Sequence, residues 1–324
     1  MTSLGCASLR AGSAGLRGAE VAWAWPACGA ARGRLRLAAR LRYQWAMRVA
    51  AFLAILALIP LLLAVAAEPP APRIVSLSPS LTAILVSLGA RSTLVGVDEY
   101  SARQQPEVAE LPTVGGLFTP SLEAVVALEP DVVVLVPSAQ QRDLCNRLRA
   151  LGIEVLELAN IDLEQLLASI EQLGRLVKRS EAAAERVVAI RRAWQQAERA
   201  AAERRPVRAV LVLQREPLYL VGRGSFLHAM LSAAGADNAA AAFPDPYPRV
   251  ALEWLIAAAP EVILDASEDP ADAASYWSRW PSLPAVAAGR VVAIPASEVV
   301  LPGPHLDRGL RILSEALYGG EPTP

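Results

Sequence analysis

The chain has 324 residues, with 31 Lys and Arg against 32 Asp and Glu and a formal net charge of −1. Eight of the basic residues and one of the acidic ones fall in residues 1–67, so residues 68–324 carry a net charge of −8, a balance that argues against nucleic acid as a partner. Cys6 and Cys28 share that leading stretch and leave Cys145 alone in the remainder, which excludes an intramolecular disulfide and a multi-cysteine metal site there.

Residues 1–46 are rich in Ala, Gly and Arg without a clear period. We expect translation to start at Met47; otherwise the preceding stretch is a long basic leader, and in either case it lies outside the fold. Residues 49–67 are almost purely apolar, interrupted by Pro60, preceded by Arg48 and ending in Ala64-Val65-Ala66-Ala67. A basic flank, an apolar run and a small-residue cleavage site predict a secretory signal peptide over 47–67; an uncleaved membrane anchor is the alternative. No Cys ends the run, so a lipoprotein anchor is not expected. The remaining length of about 255 residues has room for one large domain or for two lobes of about 100–130 residues.

From there the elements alternate. Residues 73–78 (RIVSLS) read as a buried strand, and 80–88 as a helix stopped by Gly89. A strand follows at 94–97 and a short helix at 121–128, before Pro130. Residues 131–136 (DVVVLV) form a strand apolar on both faces, as parallel strands are. A helix over 139–151 and a strand over 154–158 complete an amino-terminal α/β lobe, residues 73–160. Residues 161–205 carry no strand signal and are dense in Ala, Glu, Arg and Leu. They predict a helical connector, capped by Asp162, reopened at Ser180 and stopped by Pro206. The alternation then resumes: strands at 208–213 and 218–221, helices at 226–234 and 252–259, strands at 261–266 and 291–295, and a last helix at 306–317. Together these make a carboxy-terminal lobe, residues 206–320.

The two halves repeat. SLEAVVALEPDVVV from Ser121 and ALEWLIAAAPEVIL from Ala251 align without gaps at an offset that pairs Leu122 with Leu252, Glu123 with Glu253, Ala127 with Ala257 and Pro130 with Pro260. Glu123 and Glu253 each fall in the first turn of a short helix, where a carboxylate favours the dipole. Two equivalent carboxylates, one per lobe, also suit docking onto a two-fold symmetric, arginine-bearing partner.

RIVSLSPS from Arg73, LVGVDEY from Leu94, VGGLFTPSLEAVVALEPDVV from Val114 and LPAVAAGRV from Leu283 give the chain a resemblance to the periplasmic binding proteins of ABC importers for cobalamin, haem and ferric siderophores. The resemblance implies an α/β fold of two Rossmann-like lobes with parallel sheets, joined by a long inter-lobe helix, with little hinge motion and a ligand cleft between the lobes. It implies an exported monomer without cofactor or catalysis, whose partners are an ABC permease, its ATPase subunits and a small metal-chelate ligand. Glu123 and Glu253 match the family's docking glutamates. Within the cobalamin-binding branch, the ligand-contacting Tyr matches Tyr100, a neighbouring aromatic falls at Leu117 and Phe118, and a ligand loop falls on Ser297, Glu298, Val299, Val300 and Leu301. That loop is polar and aromatic in the branch and reads SEVVL here. A position that is often Arg after PGP is His305.

Other chemistries are poorly supplied. Gly222-Arg223-Gly224 follows a strand and opens a helix, as in a dinucleotide loop, but the third position is Leu227. No Gly-x-Ser-x-Gly occurs, and Cys145 lies mid-helix, where an inert thiol is expected. His228 and His305 are the only histidines, too few for capture of a bare metal ion. His228 is expected to be structural, and His305 to line the cleft or cap the last helix. The expected lining is aromatic and apolar, with Tyr100, Phe118, Tyr219, Phe243, Tyr247 and Trp277, a surface suited to large flat ligands. Arg103, Arg215, Arg223 and Arg249 are the cations available to an anionic ligand. A corrinoid is the first expectation and a haem or ferric siderophore the second; a membrane-tethered ligand sensor is the reading of another class.

Overall fold

The computed structural model describes Trp45, Met47 and residues 70–267 and 272–319. The chain divides into two units, Met1–Pro69 and Pro70–Pro324. Apart from Trp45 and Met47, the expected leader and signal peptide lie outside the described residues. Among the described residues no helix is long and apolar enough to cross a membrane.

Unit Pro70–Pro324 contains two sheets. In the first, β1 (Ile74–Ser76), β2 (Leu94–Val97), β3 (Val132–Leu135) and β4 (Glu154–Glu157) are all parallel, in the order β2-β1-β3-β4. Helices α1 (Pro79–Ser87), α2 (Glu99–Gln104), α3 (Leu122–Ala127) and α4 (Arg142–Ala150) connect them. Two helices follow, α5 (Leu163–Leu176) and α6 (Ser180–Ala202). The second sheet is built on β5 (Val207–Gln214), flanked by β8 (Val262–Asp265) and then β9 (Val291–Ala293), all parallel. On its other side β5 pairs with β7 (Ala236–Asn238) in parallel and with β6 (Tyr219–Leu220) antiparallel. The antiparallel β6 departs from the all-parallel expectation, because only a hairpin is short enough to join β5 to it. The remaining helices are α7 (Phe226–Ala233), α8 (Leu252–Ala258), α9 (Ala273–Trp277), α10 (Pro284–Ala287), α11 (Ala296–Val299) and α12 (Leu306–Tyr318).

The alternation of side chains along each strand decides how the lobes are held. Ile74, Val132 and Val134 of the first sheet face the same apolar cluster as Ala209, Leu211, Val262 and Leu264 of the second. Val187, Ile190 and Trp194 of α6 and Leu310, Leu313 and Leu317 of α12 fill it from above. The alternate residues point outward into two separate cores, Val75, Val133 and Leu135 into one and Val210, Val212 and Ile263 into the other. One shared core therefore fuses both lobes to α6, which spans about 35 Å at 1.5 Å per residue, and interiors packed this way resist hinge motion.

The sequence repeat is also a geometric one. Glu129 and Ala259, at corresponding positions, both take positive φ, 46° and 48°. Arg73 Nε donates to Glu129 O at 3.0 Å, and Arg208 Nε donates to Ala258 O at 3.0 Å. Asp131 N donates to Arg73 O and Glu261 N to Arg208 O, at 2.9 and 2.8 Å. Each lobe thus closes its short helix onto its first strand by the same arginine clamp on carbonyls that the helix cannot satisfy internally.

Candidate functional site

A cleft of about 560 Å³ lies where loops of both lobes meet. On the amino-terminal side it is walled by the segments that leave β1, β3 and β4 at their carboxyl ends: Leu77 to Ser80, Val136 to Ser138, and Asn160. The chain order reverses between β1 and β3 in the sheet β2-β1-β3-β4. Loops leaving adjacent strands in opposite directions open a crevice at such a switch point.

Tyr100 enters the cleft from the first turn of α2 and is 46% exposed. Its backbone is fixed by Asp98, the N-cap, whose Oδ1 accepts from Tyr100 N and Ser101 N at 2.9 and 3.0 Å. Ser101 Oγ donates to Asp98 Oδ2 at 2.5 Å, and the hydroxyls of Thr82 and Ser76 extend the buried network. Burial raises the Asp98 carboxyl above its ordinary value, against the lowering effect of Ser101 and the amide donors. Arg103 stacks on the Tyr100 ring at 4.6 Å. Leu117 and Phe118 come from a tight turn, in which Gly115 adopts φ 105° and a Cβ would meet Thr119 O at 2.8 Å. The Gln141 carboxamide anchors that turn, its Nε2 donating to Leu117 O at 2.6 Å. Phe118 is left 60% exposed at the cleft.

The carboxy-terminal wall has two parts. Tyr247, 45% exposed, sits on a proline-rich loop bound to the Gly222–Gly224 segment: Gly222 N donates to Pro246 O at 3.0 Å, Arg223 N to Phe243 O at 3.1 Å and Leu220 N to Pro248 O at 3.1 Å. The glycines serve this close approach and not a nucleotide, since a Cβ on Gly222 would collide with Asp245 O and one on Gly224 would meet Pro244 O at 2.7 Å. Desolvation raises the Tyr247 phenol, so it is a neutral hydroxyl at physiological pH. The second part is α11 with the residues after it. Ala296, Ser297, Val300 and Leu301 line the cleft.

Several expected contacts fall elsewhere. Because 296–299 winds into a helical turn, Glu298 and Val299 point away from the cleft, Val299 fully buried in the shared core. Tyr219 lies on the edge strand β6, bridged to Arg249, and does not line the cleft. His305 occupies the N-cap position of α12 without a side-chain cap bond and is exposed outside the lining. Trp277 is buried, and donates from Nε1 to Asp265 Oδ2 at 2.6 Å. Phe243 packs edge-on against Trp254, with centroids 4.9 Å apart. Arg215 is engaged with Asp265 at 2.9 Å. His228 bonds Asn238 at 3.1 Å within its lobe, and Cys145 is buried with its thiol raised by desolvation.

Sequence reasoning missed the polar part of the lining: the hydroxyls of Ser78, Ser80 and Ser138 and the carboxamides of Gln104, Gln141 and Asn160. The position of 77–80 just past the end of a parallel strand was a usable signal; for Asn160 no local signal exists. Among the described lining residues none is charged.

Glu123 and Glu253 stay clear of the cleft and are both exposed. Glu123 accepts from Ser121 Oγ at 3.1 Å, while Ser121 Oγ accepts from Ala124 N as N-cap. The backbone amide at the start of α3 and the Ser121 hydroxyl hold its carboxyl below the ordinary value.

Two α/β lobes on one shared core, with a cleft between them whose described lining is aromatic, hydroxyl- and carboxamide-bearing and uncharged, have the architecture of a ligand-binding protein. The sequence pattern of the periplasmic binding proteins matches residues 74–298, and the chain belongs to that family, whose members carry ligands and are not enzymes. A vitamin B12-binding protein of Vibrio cholerae is 29% identical over 237 residues, covering 73% of this chain and 85% of that protein. Among solved structures, the periplasmic vitamin B12 binding protein of Vibrio cholerae matches with a TM-score of 0.70 at 26% identity, over 78% of this chain and 99% of that one. A periplasmic haem binding protein from Pseudomonas aeruginosa matches with a TM-score of 0.64 at 28% identity, over 76% and 93%.

Proposed function

We propose that this protein captures a corrinoid, cobalamin, in the periplasm and delivers it to an ABC permease with its ATPase subunits. The observation that carries the reading is the lining: aromatic faces of Tyr100, Phe118 and Tyr247 combined with hydroxyls and carboxamides, and no charge among the described residues. A corrin is a large ring with a periphery of neutral amides, which matches neutral hydrogen-bonding groups around apolar walls. Haem offers two carboxylates, for which a cationic partner is expected, and the lining supplies none among the described residues; haem remains the second reading through the likeness to the haem binding protein, with a ferric siderophore beside it. The ligand contacts in this proposal are Tyr100, Leu117, Phe118, Tyr247, Ser297, Val300 and Leu301. The lobes are residues 73–160 and 206–320, with 161–205 as connector and 47–67 as the export signal.

Glu123 and Glu253 are the docking points on the permease. Their exposure and their equivalence in the repeat support this. Titration of the purified exported form with cyanocobalamin, against haemin, tests the ligand: saturable one-to-one binding of cobalamin at submicromolar affinity is expected, and binding of haemin alone overturns it. E123A with E253A is expected to leave cobalamin affinity unchanged and to abolish transport in reconstituted vesicles; transport at the unaltered rate refutes the docking assignment.

A further inference from the structure

We propose that Asn160 is a specificity-determining ligand contact whose Oδ1 accepts a hydrogen bond from a primary amide N–H of the bound molecule. This rests on the corrinoid reading above. Asn160, Ser80 and Pro302 meet at the cleft from three distant parts of the chain. Pro302 O is an acceptor only, so the single proton of the Ser80 hydroxyl goes to it. Ser80 Oγ must then accept from its other neighbour, and Asn160 Nδ2 donates to it at 2.7 Å.

The chain of bonds therefore fixes which end of the carboxamide is which. Turning Asn160 over would set Oδ1 against the lone pairs of Ser80. In the orientation so fixed, Oδ1 is enclosed and has no hydrogen-bond partner among the described residues, on a side chain whose residue is only 8% exposed. Buried acceptors in native proteins find donors, and Asn160 belongs to the lining of the cleft. A site built to receive an N–H discriminates against an analogue lacking it far more sharply than an apolar wall does. A ligand carboxylate in place of the amide would oppose two acceptors.

The experiment titrates the purified protein with cyanocobalamin and with the separated monocarboxylic acids obtained by mild hydrolysis of its peripheral amides. The protein as it stands is expected to bind one of these acids at least about tenfold more weakly than cyanocobalamin. N160L is expected to bind cyanocobalamin about tenfold more weakly and to lose its preference between the two. S80A keeps Asn160 but releases its orientation, and is expected to reduce the preference; it decides the matter if N160L does not fold. Unchanged preference in either folded variant, or equal binding of every acid by the parent protein, overturns the assignment and leaves the corrinoid reading standing. Absence of cyanocobalamin binding by the parent protein overturns both.

Discussion

Gly222→Ala separates a loop clamp from a nucleotide loop. A Cβ there would stand 2.9 Å from Pro248 Cδ and closer still to Asp245 O, both belonging to the loop that carries Tyr247. Carbon atoms settle at about 3.5–4.0 Å, so the 244–248 loop must retreat by about 1 Å. Overpacking of this kind costs about 1–3 kcal/mol. At about 2–4 °C per kcal/mol for a chain of this size, the melting temperature falls by about 2–12 °C. Tyr247 moves with its loop, and a misplaced aromatic wall forfeits most of a buried side chain's contribution of about 1.5–3 kcal/mol, so cyanocobalamin affinity falls about tenfold or more, as in Y247A. Gly303→Ala is the control, since its Cβ would meet only Leu301 O at an ordinary 3.6 Å. Thermal melts and fluorescence titration of the three variants provide the readout. G222A melting and binding like the parent protein would refute the clamp.

Asp265 is fully buried and accepts from Arg215, Trp277 and the amide and hydroxyl of Ser267. D265A removes the acceptor shared by a mostly buried guanidinium and an indole N–H, leaving Arg215 with Asp272 at 3.8 Å, and is expected to cost about 3–5 kcal/mol in urea unfolding; R215M in addition recovers part of it, and a loss below about 1 kcal/mol contradicts the ion-pair account. Asp98 has a folded-state pKa raised by burial, so its protonation favours the folded state. The stability it contributes is complete below its unfolded pKa, near 3.8, and is lost as pH rises through the folded value. D98N is therefore expected to gain on the parent protein as pH is raised from acid towards neutral, measured as urea midpoints; a constant or opposite difference contradicts it.

The local code of this chain is readable. The Val-rich run at 132–135 is buried at every position, as expected for a central parallel strand, because no register can expose one face of it. Gly and Pro punctuation located α1, α3, α7, α8 and the break before β5, since a left-handed turn or a missing N–H acts within a few residues. The repeat located two equivalent first-turn acids for the same reason, each at a helix start written into its own segment, while their exposure came from the structure.

What a residue faces was decided only by tertiary structure. The five residues 297–301 read as one ligand loop, yet they divide between cleft and core once α11 winds and α12 packs behind it. Leu227 sets Gly222 and Gly224 aside as a nucleotide loop, and only the packing of the 243–248 loop on them shows what they serve, a contact that no local pattern specifies. Asn160 acquires its orientation from Ser80 and Pro302, 80 residues away and farther. Periodicity and turn chemistry are properties of neighbours along the chain, whereas a binding site is made of groups that only the common core brings together.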